Sequence, residues 1–202
     1  MVGTIERTYI ATPRLSLRPF RRRDIEMLQT SAAESMTELS RWLPWATGAY
    51  TRSMAQTYIR DSMAAWNENR AFDFAMRTID DRPRHVGNVS VWFTSAQNRT
   101  GEVGYWTRTS DTGNGYMTEA VASILGFAFG DLGMHRVAVR IAAGNRASER
   151  IAVKLGFTFE GTLRQVIQVG SEWLDHTSWS LLATEHVGHR IRYEAEGWIL
   201  PS

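Results

Sequence analysis

Apolar and polar residues alternate in short runs over much of this chain. Between those runs the apolar spacing widens to that of helices. "RLSLRPF" (Arg14 to Phe20) has the period of two expected of a half-buried strand. Arg22 to Ser31 reads as a helix, and "SRWLPWATGAY" (Ser40 to Tyr50) as an aromatic loop broken at Pro44. Thr51 to Asn67 has helical spacing, with Met54, Tyr58, Met63 and Trp66 near one face. Three strands are predicted next: "FDFAMRTI" (Phe72 to Ile79), "HVGNVSVWF" (His85 to Phe93) and "GEVGYWTRT" (Gly101 to Thr109). A helix follows from about Tyr116 to Asp131, with Met117, Ala120, Val121, Ile124 and Ala128 on one side. "RVAVRIAA" (Arg136 to Ala143) is a strand, and "NRASERIAVKLG" a short helix stopped by Gly156. "FTFEGTLRQVIQV" and "EWLDHTSWSLL" form a long hairpin around Gly170.

That order predicts an α/β fold with a mixed, mostly antiparallel central sheet of about six or seven strands flanked by helices. The 202 residues fit one domain, expected over 1–185, with a C-terminal tail over 186–202 that ends in the apolar "GWILPS". Composition mainly excludes. The 23 Lys and Arg against 21 Asp and Glu leave a net charge of +2, too mild for a nucleic-acid partner, and Arg21 to Arg23 read as a solvated helix start. Cysteine is absent, which removes disulfides, thiolate metal sites and a cysteine nucleophile. No apolar stretch reaches the length of a membrane span, and the first ten residues lack a signal-peptide core. A cytoplasmic location without a membrane partner is the expectation.

The chemistry begins at "TSDTGNGYMTEAVASILGFAFGDLG", where Gly113 and Gly115 stand directly before a helix. A helix N-terminus carries unpaired N–H groups and the positive end of a dipole, so it attracts anions. Glycine before it lets phosphate oxygens approach the backbone, although a plain turn would use the same residues. A P-loop would need Gly-Lys-Ser/Thr, and "GNGYMT" has no Lys. A dinucleotide fingerprint would need a third glycine where Thr118 stands.

With "NRASERIAVKLGF" downstream, the succession strand, Gly-X-Gly, helix, strand, Asn-x-x-Ser, Lys-x-Gly-Phe resembles the GNAT acyltransferase superfamily. Within it the chain is similar to the RimJ/RimL branch of protein N-terminal acetyltransferases. "RLSLRPF", "RWLPW", "GEVGYW", "GNGYMTEAV", "HRVAVRI" and "EGTLRQ" have counterparts there in the same order, over roughly Thr12 to Thr184. The resemblance implies a GNAT fold with a splayed acyl-CoA cleft, acetyl-CoA as co-substrate and no metal. It places the CoA pyrophosphate on backbone N–H groups of Gly113, Asn114, Gly115, Tyr116 and Met117. The strand end at Tyr105, Trp106, Thr107 and Arg108 would pair with the pantetheine arm as an added strand. Asn145 would reach pantetheine, its other reading being a helix cap. The family's Gln/Arg before the glycines is Ser110 here, which removes one cationic contact and leaves the binding to the backbone donors; Arg108 is a candidate substitute, its other reading being an exposed strand Arg.

Acetyl transfer needs a neutral amine, a polarised thioester carbonyl and a proton for the departing thiolate. No Ser-His-acid set is legible, so direct attack by the amine is expected. Many GNAT enzymes protonate the thiolate with a Tyr at a position that is Ala152 here. The RimL-like branch uses a Ser that corresponds to Ser148. Glu102 is the first candidate base, acting through water, with a solvated strand-edge Glu as the alternative. A late carboxylate of some relatives is replaced by Ile167, and Asp175 and His176 are spare candidates. Trp42, Leu43 and Trp45 are expected to wall the acceptor cleft. The acceptor is expected to be a protein or peptide N-terminus. The alternatives are a small amine, such as an antibiotic or polyamine, and a catalytically silent acyl-CoA sensor. Monomers and homodimers both occur in the branch.

Overall fold

Eight strands join in one sheet, ordered β1-β2-β3-β4-β5-β6-β8-β7, in a computed structural model that describes residues 8–201. They are β1 (Ile10–Ala11), β2 (Leu15–Pro19), β3 (Ala71–Thr78), β4 (His85–Ser95), β5 (Thr100–Thr107), β6 (Arg136–Ala142), β7 (Thr158–Val169) and β8 (Glu172–Leu182). The helices are α1 (Ile25–Leu39), α2 (Arg52–Asn67), α3 (Tyr116–Gly126), α4 (Arg146–Lys154) and α5 (Ala183–Ala195). The strand beyond the predicted six or seven is β1, two residues too short to show a period.

Strand alternation sends two apolar sets to opposite faces. Phe72, Phe74 and Met76 of β3, Val89 and Val91 of β4 and Val103 of β5 share one core with α3, Ala152 and Leu155. Ala75 and Trp106 join Phe20 and the buried stripes of α1 and α2 in the other. Helix α1 runs eight residues past the predicted end at Ser31. Its stripe Leu28, Ala32, Met36 and Leu39 is interleaved with buried Ser31 and Ser35. Their hydroxyls donate back to Met27 O (2.9 Å) and Ser31 O (2.8 Å), which lets polar residues sit on a buried face. Helix α2 starts where Thr51 Oγ1 accepts the Met54 N–H (3.3 Å).

The helix predicted through Asp131 is α-helical only to Gly126. Phe127–Asp131 then forms a π turn, closed by Leu132 N–H on Phe127 O at 3.0 Å. The predicted boundary at 185 falls within α5. Tyr193 of α5 is fully buried and donates its hydroxyl to Leu155 O, while Trp198 and Ile199 pack on the core.

All neighbouring strands are antiparallel except β5 and β6. Those two are parallel and pair only over Thr100↔Arg136, Gly101↔Val137 and Glu102↔Ala138. Past that row β5 stays with β4 as far as Thr107, and β6 stays with β8 as far as Ala142. The sheet therefore splits between them. Backbone groups of β5 from Val103 onward face the gap and can take an extended ligand as an added strand.

Candidate active site

The gap, the glycine loop at its mouth and the start of α4 converge on one place. Tyr105 lies on β5 beyond the split, with its side chain on the α3–α4 face. Its hydroxyl is 2.8 Å from Ser148 Oγ in the first turn of α4. Burial pushes the Tyr105 phenol up to about 12, so it stays protonated and can donate to Ser148. Asn145 caps α4: its Oδ1 accepts the Ser148 N–H at 3.2 Å. The amide NH2 of Asn145 remains available as a donor, so the cap and the pantetheine contact are compatible. The Tyr105 side chain is the partner that sequence reasoning missed, since only its backbone was assigned and it stands 43 residues from Ser148.

Gly113 and Gly115 have φ of 81° and 77°, the left-handed region that glycine enters without steric cost. The first backbone bond of α3 is Glu119 N–H to Gly115 O (3.2 Å), so the N–H groups ahead of it have no intrahelical acceptor. Asp111, buried, holds the loop from below through Arg84 Nη2 at 2.8 Å. The cation at this loop is not Arg108, whose guanidinium turns to α1 and binds Glu34 (Nε–Oε2 2.6 Å). It is Arg14, which donates to Asn114 O (3.0 Å), lies 4.9 Å over the Tyr116 ring, and would be 3.5 Å from a Cβ on Gly115. Arg14 is held there by fully buried Glu119, through its backbone N–H and its Nε, each at 2.7 Å.

The opposite face of β5 bears Glu102, Gly104 and Trp106. Glu102 stands in the last paired row before the split. It is buried, with Oε1 accepting from Arg140 Nε at 2.9 Å. That ion pair leaves one carboxylate oxygen for a water or an amine. His176 lies opposite Ala142 on this face, and burial lowers its pKa, so it is neutral near pH 7.

Above this face is a cavity of about 690 Å3, lined in part by Leu43, Trp45, Tyr50, Tyr58, Trp92 and Trp106. Leu43 and Trp45 are where the aromatic loop was expected to put them, whereas Trp42 is not among the lining residues. A Cβ on Gly104 would meet the Trp92 ring at 3.0 Å, so glycine leaves room for that ring against the strand. Trp106 is fixed from behind. Its Nε1–H donates to the Asn88 amide oxygen (3.2 Å), and the Asn88 NH2 donates to His85 Nε2 (2.8 Å). His85 Nδ1–H donates to Ser31 Oγ (2.6 Å), whose own proton goes to a backbone carbonyl. Burial takes His85 down to about 4, which keeps this relay neutral and its polarity fixed at neutral pH.

A strand pair splayed beside a glycine-cradled helix start, with an aromatic cavity across the sheet, is the architecture of an acetyltransferase. The chain belongs to the GNAT acetyltransferase family: the model of the "Acetyltransferase (GNAT) domain" matches residues 14–158. A curated relative, the "Putative ribosomal N-acetyltransferase YdaF" of Bacillus subtilis, is 27% identical over 180 residues, which cover 87% of this chain and 95% of YdaF. Mycobacterium smegmatis RimJ, solved with CoA-disulfide, superposes with a TM-score of 0.81 at 23% identity, over 96% of this chain and 94% of that one. The microcin C7 self-immunity acetyltransferase MccE, solved with acetyl-CoA and AMP, gives 0.77 at 22% identity, over 84% and 92%. The chain is thus an acetyl-CoA-dependent N-acetyltransferase.

Proposed function

We propose that this enzyme acetylates the N-terminal α-amine of a protein or peptide. Acetyl-CoA would lie in the β5–β6 gap, its pyrophosphate on the N–H groups of Gly113 to Met117 and its pantetheine along Tyr105 to Thr107. The carrying observation is that the gap has the Tyr105–Ser148 pair on one face and the aromatic cavity on the other. An amine entering from the cavity would meet the thioester carbon opposite the donor of the departing sulfur. The amine lone pair forms the C–N bond, and the C–S bond breaks. Ser148 gives the thiolate a proton and regains one from Tyr105, which water reprotonates, while the amine's surplus proton leaves by way of Glu102 to water. The similarity to YdaF, a putative ribosomal N-acetyltransferase, supports a protein acceptor. The cavity is also large enough for a small amine, and MccE, a microcin C7 self-immunity acetyltransferase, supports that second reading.

Ser148→Ala is expected to lower kcat by about 100- to 1000-fold, within the range of one proton donor, with acetyl-CoA affinity little changed. Tyr105→Phe should reproduce a smaller part of the same loss. Single-turnover kinetics beside calorimetry decide it: lost CoA binding with intact kcat would make Ser148 a pantetheine contact only. CoA binding without turnover of any acceptor would return the chain to a sensor.

Glu102 spends one carboxylate oxygen on Arg140, which leaves a single oxygen to assist and favours an amine that needs little help. A free α-amine has a pKa near ~8, against ~10.4 for a Lys side chain. Peptides with a free N-terminus are therefore expected to outrun N-blocked peptides carrying Lys, and the reverse order would sink the acceptor reading. Glu102→Gln should cost rate mainly below the amine's own pKa, where the amine is charged, and progressively less above it. A uniform loss across the pH–rate profile would assign Glu102 to positioning.

A further inference from the structure

The cavity that walls the acceptor carries its own charge pattern. Its lining includes the carboxylates of Asp61 and Asp73 and no Lys, Arg or His. Asp61 stands at the rim and already pairs with Arg60 (2.9 Å). Asp73 stands on the sheet beneath the cavity. Its Oδ1 accepts from Ser90 Oγ (2.5 Å), and among the described residues it forms no ion pair. A carboxylate facing an apolar cavity without a counter-charge is poorly solvated, and a cation brought beside it gains more than it would in water. The walls act in the same sense. Trp45 meets Tyr50 and Trp106 edge to face, at 5.8 and 6.3 Å between centroids, and the exposed faces of such rings attract cations.

Strand register sets the distance. Asp73 pairs with Ser90, and Ser90 with Gly104, the residue before Tyr105 at the split. Two strand spacings separate Asp73 from the edge of the gap, about 10 Å. We infer that Asp73 is a specificity-determining residue, selecting acceptors that carry a second positive charge about 10 Å from the reacting amine. In a peptide, a Lys or Arg in the position after the acetylated residue spans that distance. This inference rests on the proposed placement of the acceptor amine at the β5–β6 gap.

The test is equilibrium binding to the enzyme–CoA complex of three amidated peptides, Ala-Lys-Ala, Ala-norleucine-Ala and Ala-Glu-Ala, with turnover of each measured beside it. The lysine peptide should bind about tenfold more tightly than its norleucine isostere, the scale of one hydrogen bond to a charged group, and the glutamate peptide most weakly. Asp73→Asn keeps an acceptor for Ser90 and should abolish the lysine preference while leaving norleucine and acetyl-CoA binding unchanged. Equal affinity of the three peptides for the wild type would overturn the inference. So would a uniform loss in Asp73→Asn, and the wild-type comparison stands even if that variant folds poorly. A lysine preference in binding with no peptide turned over would instead bring down the proposed acceptor and leave the charge selectivity of the cavity in place.

Discussion

Glu119→Ala is expected to reduce the free energy of unfolding by about 1–3 kcal/mol, the cost of leaving buried donors without an acceptor while the half-exposed Arg14 guanidinium turns to water. Glu119 has no exposed surface and receives three donors: Thr12 Oγ1 at 2.5 Å, and the Arg14 backbone N–H and Nε at 2.7 Å each. It sits in the first turn of α3, where the helix dipole favours a negative charge. Removing it strands those donors beneath the segment that joins β1 to β2. It also frees the guanidinium that stands beside the glycine loop, so affinity for CoA should fall in the folded fraction as well. Urea unfolding followed by tryptophan fluorescence measures the first effect, and calorimetry with CoA the second. A loss below about 1 kcal/mol with an unchanged denaturant slope would show that water replaces the carboxylate cheaply, and that this network contributes little.

How far such contacts can be read from sequence depends on their range. Thr51 as an N-cap, Gly156 as a helix stop and the two glycines before α3 all act on backbone within a few residues, so their chemistry is written locally. The aromatic loop broken by Pro44 likewise acts over a short stretch, and it brings Leu43 and Trp45 to the lining of the cavity. The links that complete the site are long. Glu119 reaches back 105 residues to Arg14, and Tyr105 forward 43 to Ser148. Local pattern pointed to Arg108, which is nearer in sequence and pairs with Glu34, and had no means of showing Arg14 beside the loop. Helix α5 was hidden for a different reason. Tyr193 lies in "HRIRYEAE", a polar stretch, and is buried because α5 docks against the end of α4. A Cβ on Gly156 would collide with the His189 ring, so the same glycine that stops α4 also makes room for that docking. The split between β5 and β6 was expected only from family resemblance, since each strand alone has an ordinary period.

Gly115→Val is expected to weaken CoA binding by at least ~3 kcal/mol, more than a hundredfold, the worth of two charge-assisted hydrogen bonds. Two causes could produce such a loss, and they separate. One is strain: Gly115 has φ of 77°, where a β-branched residue is a steric outlier. The other is occupation of the space where a phosphate would meet the backbone. Packing within the protein is a lesser factor, because the nearest atom to a Cβ at Gly115 is Arg14 Nη2 at 3.5 Å, and a Cβ at Gly113 would have nothing within 4 Å. The protein itself therefore leaves room for side chains at both positions, and the glycines answer to backbone conformation or to a ligand. Asn tolerates the left-handed region, so Gly115→Asn removes most of the strain while still projecting a side chain over the N–H groups. If the ligand is the reason, Gly115→Asn should keep nearly wild-type unfolding stability and still lose most of its CoA affinity. If strain is the reason, it should recover CoA binding as well. Calorimetry with CoA on both variants, beside their unfolding curves, distinguishes the two, and unchanged affinity in a folded Gly115→Val would remove the phosphate cradle from this loop.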